Sequence, residues 1–153
     1  MKILRIFPIA AAACFLASIS NAETFSCVLK DTRNSGWLPD TLVFETNSDE
    51  TMAKTYDPIT YSTLGDFADA RVQAGNSVRV DLKWVTGRYQ NDKQVASRDY
   101  PNAVPTKIEY RATLLRGGNK ILLRAHPVGI ASQFSAKGAC QVVNGDIRGV
   151  VKP

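Results

Sequence analysis

The segment TKIEYRATLLRGGNKILLRA, residues 106–125, decides the fold class of this chain. In its first half, apolar side chains occupy every second position, at Ile108, Tyr110, Ala112 and Leu114. This period of two is typical of a β-strand that buries one face. The residues Arg116-Gly117-Gly118-Asn119 separate it from a second apolar run, Ile121 to Ala125, and both glycines can adopt positive φ without steric cost. The segment therefore predicts an antiparallel hairpin whose turn depends on its glycines.

Similar alternation on both sides of this hairpin predicts an all-β protein. Further strands are predicted at Phe25 to Lys30, Thr41 to Thr46, Thr51 to Tyr56, Ser77 to Val85 and Ala139 to Val143. The stretch Arg88 to Pro105 has few apolar residues and is predicted to be a long loop. No internal repeat or Pro- and Ser-rich linker interrupts the series. We therefore expect seven or eight antiparallel strands in a single domain.

The segment 63–74 is compatible with two structures. Its apolar residues at Leu64, Phe67, Ala68 and Val72 fit one face of a helix that Gly75 could end. Its second half also alternates, with apolar residues at Ala68, Ala70, Val72 and Ala74. The strand is favoured, because Ala74-Gly75-Asn76 would then form a turn into the next strand.

Residues 1–22 have the order of a secretory signal peptide. A short basic region precedes the apolar run Ile6 to Ile19, and the small residues of Ser20-Asn21-Ala22 follow it. We expect cleavage to leave residues 23–153 as one mature β domain, periplasmic or secreted and without a membrane span. Two alternatives would keep the chain at a membrane: an uncleaved apolar anchor, or lipid attachment at Cys14, which follows three alanines.

The charge of the chain is modest once the signal peptide is removed. Residues 1–22 contain two of the nineteen basic residues and none of the fourteen acidic ones, so residues 23–153 carry a net charge of +3 rather than +5. This charge favours solubility and permits contact with anionic surfaces. No cluster of Lys and Arg appears along the sequence, so a nucleic-acid partner is not expected.

Two cysteines remain after signal cleavage, Cys27 and Cys140, close to the two ends of the mature chain. In an oxidising compartment they are expected to form a disulfide that closes a loop of 114 residues; two buried free thiols are the alternative. This bond would bring the first and last strands together, which favours a closed barrel over a two-sheet β-sandwich. One histidine and two separated cysteines do not make a four-ligand zinc site, so neither a metal nor another cofactor is expected.

Catalytic motifs are absent from the sequence. The only histidine, His126, is predicted at a strand end, and no Gly-x-Ser-x-Gly turn accompanies it. A carboxylate pair remains available for acid and base chemistry among Asp57, Asp66, Asp69, Asp81, Asp92 and Asp99. The segment Asp31 to Gly36 begins like a calcium loop but lacks the later glutamate, and is interpreted as a turn.

Aromatic residues in turns are the candidates for partner contact. Trp37 and Tyr89 lie in or near predicted turns, and Tyr100 lies in the predicted long loop. Exposed aromatic side chains at such positions are frequent in binding surfaces. Trp84 instead lies on the apolar face of a strand, where core packing is expected.

The order of several short motifs resembles small exported all-β bacterial proteins of unknown function. These motifs are Cys27, Gly36-Trp37-Leu38-Pro39, Asp57-Pro58-Ile59, Trp84 and Gly138-Ala139-Cys140. The resemblance spans most of the mature chain and implies no activity. The chain differs from lipocalins, because Gly36-Trp37 follows the first strand, and from small-barrel lysozyme inhibitors, because their Ser-Gly-x-x-Tyr loop is missing.

These observations favour an exported, non-enzymatic binding or interaction module whose partner is a protein or a small molecule. Two alternatives stay open. An eight-stranded barrel can hold one small ligand in its interior, as a carrier would. A hydrolase would use His126 or a carboxylate pair.

Overall fold

Eight antiparallel strands form one closed barrel in the computed structural model, which describes residues 22–91 and 105–151. The strands are β1 (Thr24–Lys30), β2 (Thr41–Thr46), β3 (Met52–Tyr56), β4 (Ala68–Gly75), β5 (Arg79–Val85), β6 (Ile108–Leu115), β7 (Lys120–Pro127) and β8 (Phe134–Val143). Each strand pairs with the next along the chain, and β8 pairs with β1. The predicted all-β barrel is confirmed, and a two-sheet sandwich is not the architecture.

The ambiguous segment 63–74 divides between a helix and a strand. Strand β4 begins at Ala68, so the favoured strand is confirmed there, but helix α1 (Pro58–Leu64) precedes it and was not predicted. The Asp57 side chain accepts a hydrogen bond from the Thr60 amide, and Pro58 occupies the first helical turn. The helix ends at Gly65, which takes a φ of 72°. These caps form a helix too short to be recognised from its apolar period.

The β6–β7 hairpin is confirmed, but its turn differs from the prediction. Residues Arg116–Gly118 form a short 3-10 turn, and Asn119 takes the left-handed conformation with a φ of 48°. Neither Gly117 nor Gly118 has positive φ. Asparagine tolerates the left-handed region better than other side chains, so it supplies the conformation that the sequence assigned to the glycines.

Strands β1 and β8 close the barrel, and Cys27 and Cys140 lie directly opposite each other in this pair. The predicted disulfide is confirmed, with the two Cα atoms 3.9 Å apart. The strands also approach closely at Gly138, where a Cβ atom would lie 2.0 Å from the Val28 carbonyl oxygen. Strand β8 begins five residues before the predicted start, because this glycine interrupts the alternation that predicts strands.

Inward-facing side chains fill the barrel. They form one continuous cluster that takes residues from all eight strands, with Leu42, Phe44, Leu82, Tyr110 and Leu123 among its most buried members. Phe25 and Phe44 stack with their ring centroids 4.9 Å apart, and Trp84 packs against Tyr110 at 5.2 Å. The interior along the described strands is therefore a hydrophobic core.

Different structural features lie at the two ends of the barrel. At the end where β1 stops and β2 starts, the loop 31–40 and α1 lie over the core. At the opposite end, the Arg116 guanidinium binds Glu23 and Glu50, with its Nη1 atom 2.6 Å from the Glu23 carboxylate. Arg116 thus connects the β6–β7 turn with the start of β1 and with the β2–β3 turn.

The outer surface of the barrel is covered unevenly. A short helix, α2 (Ile147–Val150), packs on the outside of β2 and β3, where Ile147 and Val151 bury Val43 in a second, smaller cluster. The outward-facing residues of β6 and β7, by contrast, are all half-buried or exposed. The β6–β7 side therefore offers accessible surface for a binding partner.

Neither α1 nor α2, nor any other helix within residues 22–91 and 105–151, has the length and apolar character that a membrane-spanning helix requires. The predicted signal peptide, apart from Ala22, and Cys14 fall outside the described residues.

Candidate binding surface

Trp37 is a core residue. Only 3% of its surface is exposed, and its ring packs against Tyr89 and Phe134 at the α1 end of the barrel. The buried Tyr110 hydroxyl donates a hydrogen bond of 2.8 Å to the Trp37 carbonyl oxygen. Trp37 was expected to be exposed in a turn, and its burial leaves it without the accessible ring that partner contact needs.

Tyr89 is half-buried beside Trp37. Its hydroxyl donates a hydrogen bond of 3.2 Å to the Gly36 carbonyl oxygen, and its backbone pairs with Thr106 in an isolated bridge. These contacts give Tyr89 a role in holding the loop 31–40 over the core. Tyr100, the third predicted contact residue, lies outside the described residues.

Asp57 is the buried carboxyl group of the α1 end, with no exposed surface. Its Oδ1 accepts a hydrogen bond of 2.8 Å from the Thr60 amide, and its Oδ2 accepts one of 3.3 Å from the Trp84 indole N–H. Burial raises the pKa of Asp57 above 3.8, and the hydrogen bonds from Thr60 and Trp84 oppose that change only in part. Asp57 thus caps a helix and fixes an indole inside the core.

The raised pKa of Asp57 predicts a pH-dependent stability difference between the wild type and Asp57→Asn. The folded state holds the Asp57 proton more tightly than the unfolded state, so stability falls as pH rises from about the unfolded value of 3.8 through the folded pKa. Asparagine keeps an acceptor oxygen and does not ionise. Urea denaturation at a series of pH values should show that the free energy of unfolding of the variant increases relative to that of the wild type as pH rises through this range. A difference in unfolding free energy that is constant with pH would contradict this assignment.

His126 and the carboxylates do not form a catalytic set within the described residues. His126 is exposed on the outer face of β7, directly opposite Glu109 on β6. Asp69 and Asp81 pair with Lys54 and Arg79, and Asp66 accepts the amide of the next residue. Asp92 and Asp99 lie outside the described residues. No described group of three or more His, Cys, Asp and Glu side chains could hold a metal ion.

Four basic residues lie side by side across four adjacent strands. The register places Arg71 opposite Lys83, Lys83 opposite Arg111, and Arg111 opposite Arg124. All four project from the outer face, and neighbouring strands are about 4.8 Å apart. We call this row the basic ladder. Like charges directly opposite each other destabilise a sheet, so the ladder has a cost in stability that its position in the fold does not explain.

The acidic residues near the ladder are already paired. Strands β4 to β8 contain three acidic residues, Asp69, Asp81 and Glu109, and each forms an ion pair with a neighbouring cation. Lys83 uses Glu109, with the Nζ atom 3.4 Å from the carboxylate. The described residues offer no ion-pair partner to Arg71, Arg111 or Arg124, which are exposed. This face of the barrel therefore has a surplus of positive charge.

A groove of about 820 Å³ lies beside the ladder, on the outer face of β6, β7 and β8. Leu115, Leu122 and Ala139 contribute its apolar surface. Four cations line it, Lys30, Arg33, Lys120 and Lys137, and none of the described residues that line it is acidic. All four side chains are exposed. We call this feature the groove.

The loop after β1 carries one wall of the groove. Asp31 accepts hydrogen bonds from the Arg33 amide and from both the amide and the hydroxyl of Ser35, which confirms the predicted turn. Partial burial acts to raise the pKa of Asp31, but these hydrogen bonds outweigh it and the pKa is lowered. The ionised carboxylate thus holds a turn that places Arg33 at the groove.

The sequence contained no signal for either surface. The members of the ladder are twelve or more positions apart along the chain, and only the pairing of strands puts them in one row. Alternation places Lys83, next to Trp84, and Arg111, next to Tyr110, on the outward-facing side of their strands, so the missing information was the register. No protein-family model, curated protein or solved structure matches this chain.

Proposed function

We propose that this protein is an exported, non-enzymatic binding module that captures an anionic partner on the outer face of strands β4 to β8. The basic ladder is the observation that carries the proposal. Three of its four cations have no ion-pair partner among the described residues, although each faces a like charge on the next strand. A negatively charged partner would remove this repulsion and gain several charge contacts at once.

The packed interior favours the outer surface over a carrier function. A ligand inside the barrel would need the space that the core side chains of Phe44, Leu82 and Tyr110 occupy. Opening such a space means removing well-packed apolar groups, which costs several kcal/mol for each large side chain. The outer face offers its cations without any rearrangement of the core.

The surroundings of His126 give little support to a hydrolase. His126 lines a shallow hollow of about 210 Å³ with Glu109, Arg111, Arg124 and Gln133. In covalent catalysis a histidine base activates a hydroxyl or thiol nucleophile within hydrogen-bond reach, and this lining supplies neither group. Glu23 and Glu50 are two carboxylates that the fold brings together, but both form ion pairs with Arg116, so neither is free to act on a substrate.

Binding of dextran sulfate, a general polyanion, tests the proposal. We expect the double variant Arg111→Gln/Arg124→Gln to raise the Kd about 3- to 30-fold, because each lost charge contact is worth about 0.3–1 kcal/mol. The matched control is Arg88→Gln/Arg148→Gln, which removes the same charge from two exposed positions outside strands β4 to β8 and should leave the Kd unchanged. Fluorescence titration at several salt concentrations would measure both, and affinity should fall as salt rises.

The ladder variant should also become more stable. Removing two like charges that face each other is expected to raise the free energy of unfolding by about 0.2–1 kcal/mol. Weaker binding together with higher stability is the signature of cations kept for a partner. Equal loss of affinity in the ladder variant and the control would mean that only net charge matters, and would overturn the proposal.

A further inference from the structure

We infer that the groove binds a single-chain amphiphile, meaning an alkyl chain that ends in an anionic headgroup such as a phosphate monoester. The inference rests on the proposed function for the sign of the ligand's charge. It uses other residues than the ladder, so the two can fail separately.

The floor of the groove supplies the apolar half of the argument. Leu115 is 47% exposed, and Leu122 projects beside it from the neighbouring strand. Ala139, which projects outward from β8, has only a methyl side chain, so the surface is low between its bulkier neighbours. Contiguous exposed apolar residues with a polar rim are typical of ligand grooves, and about 820 Å³ is within the range of small-molecule sites.

The rim supplies the charged half. Lys137 lies directly opposite Lys30 in the β1–β8 pair, and directly opposite Leu122 in the β7–β8 pair. Two lysines facing each other repel unless an anion lies between them. Neither has an ion-pair partner among the described residues. A headgroup at this position would contact both ammonium groups while its chain extends over Leu122.

Simpler ligands would form favourable contacts with only part of the groove. An inorganic anion would bind the lysines and leave Leu115 and Leu122 in contact with water. A neutral alkyl ligand would cover those leucines and leave four cations unpaired. An amphiphile buries the apolar floor, at about 25 cal/mol per Å² of surface removed from water, and places its charge at the rim.

Calorimetric titration with three probes tests the inference: monododecyl phosphate below its micelle concentration, dodecyl maltoside and inorganic phosphate. We expect saturable 1:1 binding of monododecyl phosphate, with the other two at least about tenfold weaker. Leu122→Ser and Lys137→Gln should each weaken binding about fivefold. The control Val142→Ser changes an exposed valine on β8 outside the groove and should have no effect. Near-ultraviolet circular dichroism of every variant shows whether the fold is retained.

Equal affinity for dodecyl maltoside or for inorganic phosphate would overturn the inference, as would wild-type affinity in Lys137→Gln. The ladder variant Arg111→Gln/Arg124→Gln separates the two proposals, because it should bind dextran sulfate more weakly and keep the wild-type affinity for monododecyl phosphate. Wild-type protein that binds dextran sulfate but not the amphiphile would refute the groove ligand and leave the proposed function standing.

Discussion

Gly138→Ala is expected to destabilise the barrel by about 3 kcal/mol or more, at or above the upper range of overpacking mutations. The new methyl carbon would lie 2.0 Å from the Val28 carbonyl oxygen and within 3.0 Å of two further backbone atoms of β1. A flexible side chain could move away from such a contact, but the backbone of a paired strand cannot move without breaking the hydrogen bonds to its neighbouring strands. The variant must therefore separate β1 from β8.

Urea denaturation followed by tryptophan fluorescence would measure this loss, since Trp37 and Trp84 are both buried. The matched control is Gly117→Ala in the β6–β7 turn, where a Cβ atom meets nothing within 4 Å and φ is not positive. It should stay within about 0.5 kcal/mol of the wild type. If Gly138→Ala were as stable as this control, the close approach of the two strands would be wrong.

Removal of the disulfide is the second large effect that the structure predicts. The bond between Cys27 and Cys140 spans a sequence separation of 113 residues. On the chain-entropy model, a loop of this size stabilises the folded state by about 4–5 kcal/mol, because the crosslink restricts the unfolded chain. The variant Cys27→Ala/Cys140→Ala should lose stability on that scale, and its dependence on urea should become steeper as the unfolded state expands.

The burial of this bond makes a further outcome measurable in the same samples. Cys27 is 1% exposed and Cys140 is 7% exposed, so a reductant should reach them only when the protein unfolds. Intact-mass analysis after alkylation should find the bond intact in native buffer with reductant, and open once urea is added. Rapid reduction under native conditions, or a cysteine-free variant as stable as the wild type, would contradict this description.

The sequence predicted the architecture because the signal for a half-buried strand is local. Strand β2 has the predicted bounds of Thr41 and Thr46, and the paired cysteines indicated which strands meet. Helix α1 was missed because its seven residues are held by two caps rather than by a long apolar face. In the β6–β7 turn, the residue with positive φ is Asn119. The geometry of the turn requires positive φ at this position, and asparagine tolerates it.

The candidate surfaces could not be predicted from the sequence, for a different reason. A loop tryptophan such as Trp37 can face water or cover a core, and only the path of the loop 31–40 decides between them. The basic ladder depends on register: a slip of one residue on any strand would turn its cation inward. Alternation shows which residues share a face of one strand, but not which residue of the next strand lies beside them.

The pairing of the first strand with the last also has a consequence for how the molecule is made. A chain synthesised from its amino end completes β1 early, but the strand that completes its pairing appears only after seven others. Until then the unfinished sheet has two open edges, and open edges recruit other chains. Cys27 meanwhile lacks its partner thiol. Export or chaperoning that delays folding until Cys140 has emerged would thus protect this barrel from aggregation and from wrong disulfides.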